Sequence, residues 1–220
     1  MAAKTWYATS NLASVHQEMS ESDPGTEVYA SPTTGWIVST GSTNHSELDS
    51  QVERAATTFV NTQPPDSTPN TVSGDCLRST NTYNGSFAAG NWNVHFAVRA
   101  QTSETGQDGR MRCRLLRGAN ADGSGATEIT AAQQQGGLVT DLLIGTTQVS
   151  TATFNPGSFS VTNEYIFVQI GWERTGAATM TGADVNLRVG NASGTGTRVI
   201  SADFTPAAVT EPGWVGGGWW

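Results

Sequence analysis

NWNVHFAVRA, residues 91–100, places large apolar side chains at every second position. A period of two is typical of a β-strand with one face packed in a core, because successive side chains of an extended chain point to opposite faces. The opposite face carries His95, which we interpret as an exposed or hydrogen-bonded surface residue. The side chains expected to face the core are Trp92, Val94, Phe96 and Val98.

Four later stretches alternate in the same way: RMRCRLL (110–116), EYIFVQIGW (164–172), ADVNLRV (183–189) and RVISADF (198–204). The longest of them has apolar side chains on both faces, with Ile166 and Val168 on one and Phe167 on the other. This pattern predicts a strand that is covered on both sides. No convincing helical period occurs between residues 76 and 206.

The connections between these stretches are rich in Gly, Asn and Asp, which tolerate the backbone conformations of tight turns. One example is ANADGSGA, residues 119–126, which we interpret as a hairpin turn. Short alternating strands separated by such turns are typical of an antiparallel β-sandwich. The sequence therefore predicts an all-β fold, with a jelly roll as the preferred strand order.

The sequence divides into three parts by composition. Residues 1–75 are predicted to form an acidic N-terminal arm or added layer, residues 76–206 the β-sandwich domain, and residues 207–220 an aromatic tail. A stretch with three prolines, residues 61–70, ends any regular element and reads as a linker. Residues 44–60 fit either a helix or a strand, and this alternative stays open.

The chain carries a formal charge of −8, concentrated in residues 1–75. Nucleic-acid binding is not expected, because phosphate contacts need a basic surface. No apolar run is long enough to cross a membrane. The first residues show no basic region followed by an apolar core, so no signal peptide is expected.

Residues for catalysis or metal binding do not cluster along the sequence. His16 and His45 lie far from each other and from His95, and none belongs to a paired metal-binding motif. The loop containing Asn120, Asp122, Ser124 and Glu128 alternates oxygen donors but fails the EF-hand pattern. Paired carboxylates for glycoside hydrolysis, such as Glu164 with Glu173, stay possible from the sequence, although nothing marks that pair. We therefore expect no enzyme activity, no cofactor and no metal.

Cys76 and Cys113 are separated by 37 positions and do not form a CxxC pair. Cys113 alternates with Met111 and Leu115, which predicts a buried position on a strand. We expect two reduced structural thiols. A disulfide between the two cysteines stays possible if their strands are neighbours.

Three arginines alternate along one stretch, and this ladder consists of Arg110, Arg112 and Arg114. The ladder fits two interpretations. Arginines on one sheet face often pair with acids inside the same domain. They also suit an interface with an acidic neighbour, such as the N-terminal region of another copy.

Aromatic residues near both ends of the chain are the second candidate for partner binding. Trp and Tyr are the residues that anchor protein interfaces most effectively. We expect these side chains to lie outside the sandwich, with the glycines of EPGWVGGGWW (211–220) letting the tail reach a neighbouring subunit. The candidate anchors are Trp6, Tyr7, Trp214, Trp219 and Trp220.

FAAGNWNVHFAVRA, GRMRCRLLRGANADGSGATEIT and NEYIFVQIGWE resemble structural proteins of tailed-bacteriophage virions. The resemblance covers residues 76–205 and rests on general composition and short similar segments rather than on a diagnostic motif. It implies a jelly-roll capsid decoration (cement) protein, or a neck or tail accessory protein. It also implies a homotrimer, a location in the virion after assembly in the bacterial cytoplasm, and a partner such as the major capsid protein.

Two alternatives differ from capsid decoration. A collar, tail or fibre protein would use the same fold on another part of the virion. A carbohydrate-binding module would stack sugars on exposed aromatic rings of the sandwich. A glycosidase or depolymerase is the third and least supported alternative.

Overall fold

The computed structural model describes residues 1–13, 16–23, 46–48, 54–55, 76–100, 109–130, 134–140, 148–174, 185–187 and 196–208. These residues form strands, turns and connections, and none of them is helical. The all-β prediction is therefore confirmed. Residues 46–48 and 54–55, which the sequence left between helix and strand, are short strands.

The strands of the first part of the chain are β1 (Ala2–Ala13), β2 (His16–Ser20), β3 (Ser46–Leu48), β4 (Arg54–Ala55), β5 (Cys76–Ser79), β6 (Tyr83–Phe87) and β7 (Trp92–Ala100). Those of the second part are β8 (Gly109–Gly118), β9 (Thr127–Glu128), β10 (Gln134–Gln135), β11 (Gln148–Phe154), β12 (Phe159–Arg174), β13 (Val185–Leu187) and β14 (Arg198–Pro206).

All fourteen strands belong to one mixed sheet. Its main path runs β10-β8-β12-β5-β2-β1-β14-β7-β13-β3, while β11 pairs with β7 and β6 bridges β12 and β14. The pairs are antiparallel except β2 with β5 and β4 with β12. This architecture is consistent with the predicted β-sandwich, whereas the jelly-roll strand order stays a prediction.

The sheet curls so that the segment after β10, at one end of the path, reaches β11, which pairs with β7. The amide of Gly136 donates to the carbonyl of Met111 on β8, and the amide of Gly137 donates to the carbonyl of Thr151 on β11. The Ser150 hydroxyl accepts a hydrogen bond from the Met111 amide and donates to the Gly137 carbonyl. These bonds satisfy backbone groups that an open edge would leave exposed.

One large hydrophobic core lies inside the curled sheet. Trp92, Val94 and Phe96 are fully buried there, as the alternation of β7 predicts. The apolar stripe of β12 and the Met111–Leu115 face of β8 join the same core. Each large apolar side chain that becomes fully buried contributes about 1.5–3 kcal/mol, so this cluster dominates the stability of the fold.

The N-terminal strands β1 and β2 belong to the sheet itself, and they lie within residues 1–75, which the sequence predicts as an acidic arm or added layer. β1 pairs with β14 on one side and β2 on the other, and β2 pairs with β5. Trp6 is fully buried, and the centre of its ring lies 5.9 Å from the centre of the Trp92 ring, with the two rings stacked. Alternation in this strand places Trp6 and Ala8 inward, which buries apolar area that an arm would leave in water.

A second, smaller cluster covers the outer face of β8, β12 and β5. Phe167 and Leu116 are buried there, opposite to the main core, which confirms that β12 is covered on both sides. The guanidinium of Arg78 lies 4.3 Å from the centre of the Tyr165 ring. A cation over an aromatic face is attracted by the ring quadrupole, so this contact seals one edge of the cluster.

The two cysteines are buried and free. Cys113 belongs to the main core, whereas Cys76 belongs to the outer cluster. Both strands pair with β12, and the two thiols therefore lie on opposite faces of the same sheet. A disulfide cannot join two side chains that point away from each other, so the expectation of reduced structural thiols is confirmed.

The turn predicted at residues 119–126 connects β8 to β9, and its Gly123 and Gly125 have φ angles of +76° and +73°. Left-handed backbone of this kind is strained for residues with a side chain. The Asp122 carboxylate accepts a hydrogen bond from the Ser124 amide, and the Asn120 side chain donates a hydrogen bond to the Ser124 carbonyl. These bonds close the loop on itself, as a hairpin turn requires.

Candidate partner-binding surface

The arginine ladder of β8 is split by the fold. Arg110 and Arg112 are half-buried on the outer face of the strand. In the pairing with β12, Arg110 lies opposite Glu173 and Arg112 lies opposite Gly171. Guanidinium groups form paired hydrogen bonds with carboxylates, so the position of Arg110 opposite an acid agrees with the interpretation in which the ladder pairs with acids of its own domain.

Arg114, the third member of the ladder, is buried rather than exposed, and its predicted place at an interface is wrong. Its side chain is 8% exposed, and its Nε lies 3.5 Å from Oε1 of Glu128 on the neighbouring β9. The outer cluster covers this end of β8, because Leu116 and Phe167 pack there. Arg114 thus follows the alternative interpretation, in which an arginine pairs with an acid of its own domain.

The sequence interpretation places Trp6 outside the sandwich, whereas the structure places it in the core. Its indole is fully buried, and its Nε1 donates a 2.6 Å hydrogen bond to the hydroxyl of Tyr83. The neighbouring Tyr7 points to the other face of β1 and is half-exposed. Of this aromatic pair, only Tyr7 can contact a partner without unfolding the strand.

Tyr7 is part of a row of four side chains that crosses four adjacent strands, which we call the Tyr7 row. Tyr7 of β1 lies opposite Arg198 of β14, Arg198 lies opposite His95 of β7, and His95 lies opposite Thr151 of β11. All four are half-exposed. Directly opposite residues on antiparallel strands have Cβ atoms about 4.5–5.5 Å apart, so the row is a continuous polar surface.

His95 is held in place from both sides. Its Nδ1 lies 2.9 Å from the Thr151 hydroxyl, and the guanidinium of Arg198 stands on the opposite side. Burial lowers the pKa of His95, and the charge of Arg198 lowers it further. The imidazole is therefore neutral at pH 7. The prediction of a hydrogen-bonded surface histidine is confirmed by the bond to Thr151.

Beneath this surface, a hydrogen-bonded chain ties β1 to its neighbours. The Tyr83 hydroxyl accepts from Trp6 and donates a 2.6 Å bond to Oε1 of Glu21, whose Oε2 lies 2.7 Å from the Lys4 ammonium. Burial raises the pKa of Glu21, but its hydrogen bonds with Lys4 and Tyr83 and the Lys4 charge outweigh burial, so the pKa is lowered overall. This network of hydrogen bonds holds the start of β1 against β6.

A depression of about 320 Å³, lined equally by polar and apolar atoms, lies on the outer face of β14, β6 and β12. Thr205, Ser86 and Ser160 lie directly opposite one another there and line it with hydroxyl groups. A second depression of about 420 Å³ shares Ser86 and Ser160. Hydroxyl groups donate and accept hydrogen bonds, which suits an uncharged polar ligand.

The conceivable catalytic carboxylates are too far apart. Glu164 and Glu173 are nine residues apart on β12, which corresponds to about 30 Å of extended strand, whereas a glycosidase pair is separated by about 5–10 Å. Glu164 instead forms an ion pair of 3.3 Å with Arg117. This pair therefore cannot act as the two carboxylates of a glycosidase.

Three of the predicted anchors, Trp214, Trp219 and Trp220, lie outside the described residues. Within the described part of the chain, no three His, Cys, Asp or Glu side chains are grouped so that they could hold a metal ion. The same part contains no helix of the length and hydropathy needed to span a membrane. No protein-family model matches the chain, and no curated protein matches it either.

Sequence reasoning missed Arg198 and Thr151 as parts of a surface. Arg198 begins β14 and Thr151 lies in β11, far from Tyr7 along the chain. Alternation could assign each residue to the outer face of its strand. Only strand order shows that the four residues are neighbours, and alternation carries no information about strand order.

Proposed function

We propose that the protein is a non-enzymatic structural protein of a tailed-bacteriophage virion, which decorates and stabilises the capsid. The resemblance of residues 76–205 to such proteins supports this function, and the all-β fold agrees with it. The observation that carries most weight is the position of two half-buried arginines, Arg110 and Arg112, on the outer face of β8 in a chain with a formal charge of −8.

This charge distribution favours association between copies or with an acidic neighbour. In this proposal, Arg110 and Arg112 of one subunit approach the acidic residues that dominate positions 1–75 of another. Repetition by symmetry multiplies such contacts, so individually modest interfaces produce a stable assembly. We propose a homotrimer that binds the major capsid protein or another virion protein, with Trp214, Trp219 and Trp220 as further anchors.

Light scattering on the purified 23.1 kDa chain tests the trimer. We expect a stable species of three times this mass, and we expect the double variant R110Q/R112Q to dissociate to monomers. Arg117→Gln is the matched control, because it removes the same kind of charge from the same strand at a residue outside the Arg110 and Arg112 pair. A wild-type monomer at every concentration, or a double variant that stays trimeric, would contradict the proposal.

A collar, tail or fibre location is compatible with the same surfaces and would leave the light-scattering result unchanged. Carbohydrate binding is the second candidate function, because the hydroxyl-lined depression beside Ser86 and Ser160 fits a neutral sugar. Retention of the protein on polysaccharide columns, lost in a Ser160→Val variant, would favour this candidate. A Thr153→Val variant on the opposite part of the sheet is the control.

A further inference from the structure

We propose that the first part of β12, residues 159–164, is a strand-addition surface for the same segment of a second copy of this chain. The ion pair between Arg117 and Glu164 covers this surface and controls access to it. The surface does not include Arg110 or Arg112, and the proposal stands on its own geometry whether or not the protein belongs to a virion.

β12 extends beyond the strand that covers one of its sides. β5 and β6 line one side of β12 in succession, at residues 167–169 and 159–164. β8 lines the other side from Tyr165 to Arg174, because the chain leaves β8 at Gly118 to form the turn at 119–126. Among the strand pairs of the described residues, none covers residues 159–164 on this second side. We call this open side the β12 edge.

The β12 edge presents backbone groups to solvent. The side chains of Ser160 and Thr162 are exposed, so no other part of the chain covers them. The Ser160 carbonyl and the Thr162 amide point to this side, because the first contacts Arg117 of β8 and the second contacts Glu164. The amide and the carbonyl of one strand residue point to the same side. An edge of this kind accepts another strand.

Two charged side chains occupy the place of a neighbouring strand. Nη1 of Arg117 donates a hydrogen bond to the Ser160 carbonyl, and Oε2 of Glu164 accepts one from the Thr162 amide at 3.3 Å. The same two atoms, Nη1 and Oε2, lie 3.3 Å from each other. Charged side chains at an edge are a common protection against strand addition. Because this pair is partly exposed to water, it is weak enough to open.

A second copy of the same segment fits the uncovered edge. Antiparallel pairing about a two-fold axis at Val161 places Ser160 of each copy opposite Thr162 of the other. Opposite residues of this type exchange both of their backbone hydrogen bonds, so every outward amide and carbonyl of the two residues is satisfied. The segment from Phe159 to Thr162 carries no charged side chain, so the pairing brings no like charges opposite each other.

Both caps must be removed before the copies pair fully. In the two-fold arrangement, the Thr162 amide of one copy donates to the Ser160 carbonyl of the other, and these are the two groups that Glu164 and Arg117 cover. Arg117→Gln alone leaves the Glu164 bond to the Thr162 amide in place. We therefore expect this variant to associate like the wild type, whereas the double variant R117S/E164S associates more strongly.

Sedimentation equilibrium measures the association constants of the wild type, Arg117→Gln and R117S/E164S. We expect the double variant to associate at least about tenfold more tightly than the other two, a change that one or two net hydrogen bonds supply. Adding Ser160→Pro removes an outward amide and places a proline ring on the edge, which an edge strand tolerates. This addition should return the association constant to the wild-type value. Arg110 and Arg112 are present in every variant, so a trimer that depends on them does not change the comparison.

Hydrogen exchange of the wild-type protein gives a second test that needs no variant. At low protein concentration, the outward Ser160 amide should exchange at least about tenfold faster than the Val161 amide, which points toward β6. This result decides even if circular dichroism shows that R117S/E164S is not folded. The proposal is overturned if the Ser160 amide is as protected as that of Val161. It is also overturned if the folded double variant associates like the wild type, or if Ser160→Pro leaves its association unchanged.

Discussion

Replacing Tyr83 with Phe removes one oxygen atom from the hydrogen-bonded chain beneath β1. That oxygen accepts the indole N–H of Trp6 and donates to the carboxylate of Glu21, both at 2.6 Å. The ring itself, which packs edge-on against Trp6 and Phe204, would remain in place. The substitution therefore isolates the hydrogen bonds from the packing.

The expected cost follows from these two bonds. Trp6 is fully buried, and a buried donor left without an acceptor costs about 1–3 kcal/mol. The lost bond to a charged carboxylate adds about 1.5–3 kcal/mol, and bonds in one network are not additive. We expect a loss of about 2–4 kcal/mol in the free energy of unfolding, or about 5–15 °C in Tm for a chain of this size.

Urea denaturation followed by tryptophan fluorescence and by circular dichroism measures this loss. The matched control is Tyr7→Phe, which removes the same hydroxyl from a half-exposed tyrosine one residue away from Trp6 and should change stability by less than about 0.5 kcal/mol. If Tyr83→Phe were as mild as the control, the N-terminal strand would not be tied into the core as described.

Three further predictions concern acid, thiols and glycine. The pKa of Glu21 is lowered in the folded state, so its contribution to the free energy of unfolding is present above its ordinary pKa of 4.5 and is lost as the pH falls through the folded pKa. On acidification, the wild-type protein should therefore lose more stability than the Glu21→Gln variant. Equal losses would contradict the ion pair with Lys4. Cys76 and Cys113 should resist a thiol reagent until the protein unfolds, because both are buried and burial raises the pKa of Cys113 to about 12. Fast labelling of the native protein would contradict the burial of the two thiols. Gly85→Ala should lower the free energy of unfolding, measured in urea, by more than about 2 kcal/mol. The reason is that a Cβ at position 85 would collide with the Thr205 carbonyl oxygen. The Gly137→Ala variant should be tolerated, because a Cβ at position 137 would have no atom within 4 Å.

Alternation in the sequence was a good guide to the central strands of the fold. β7 and β8 begin and end within two residues of the predicted stretches, whereas β12 begins five residues before its predicted stretch. The burial of Phe167 confirms that β12 is covered on both faces. These strands carry large apolar side chains at every second position, which few other structures accommodate.

The N-terminal strand was misread because its apolar content is low. β1 has the sequence AAKTWYATSNLA, and among its side chains whose burial is described, residues 2–9, Trp6 is the one large apolar side chain that is buried. Aromatic residues in a polar context suggest an interface as readily as a core. What decides between them is the pairing of β1 with β14, a contact between residues nearly two hundred positions apart that no local pattern reveals.

The arginine ladder shows the same limit on a smaller scale. Arg112 and Arg114 are equivalent in the alternation, yet one is half-exposed and the other pairs with Glu128 under the outer cluster. The difference arises from β9, a strand of two residues whose pairing with β8 is not visible in its composition. Site residues that depend on such neighbours become predictable only once strand order is known.

Purified phage particles provide the most direct test of the proposed virion function. Particles from a host culture that carries this gene would be banded in a density gradient and examined by quantitative mass spectrometry, with immunogold labelling to locate the protein. A capsid decoration protein should stay with the particles in many copies and label the head. A protein that remains in the unbound fraction, although it is expressed, would contradict the proposal.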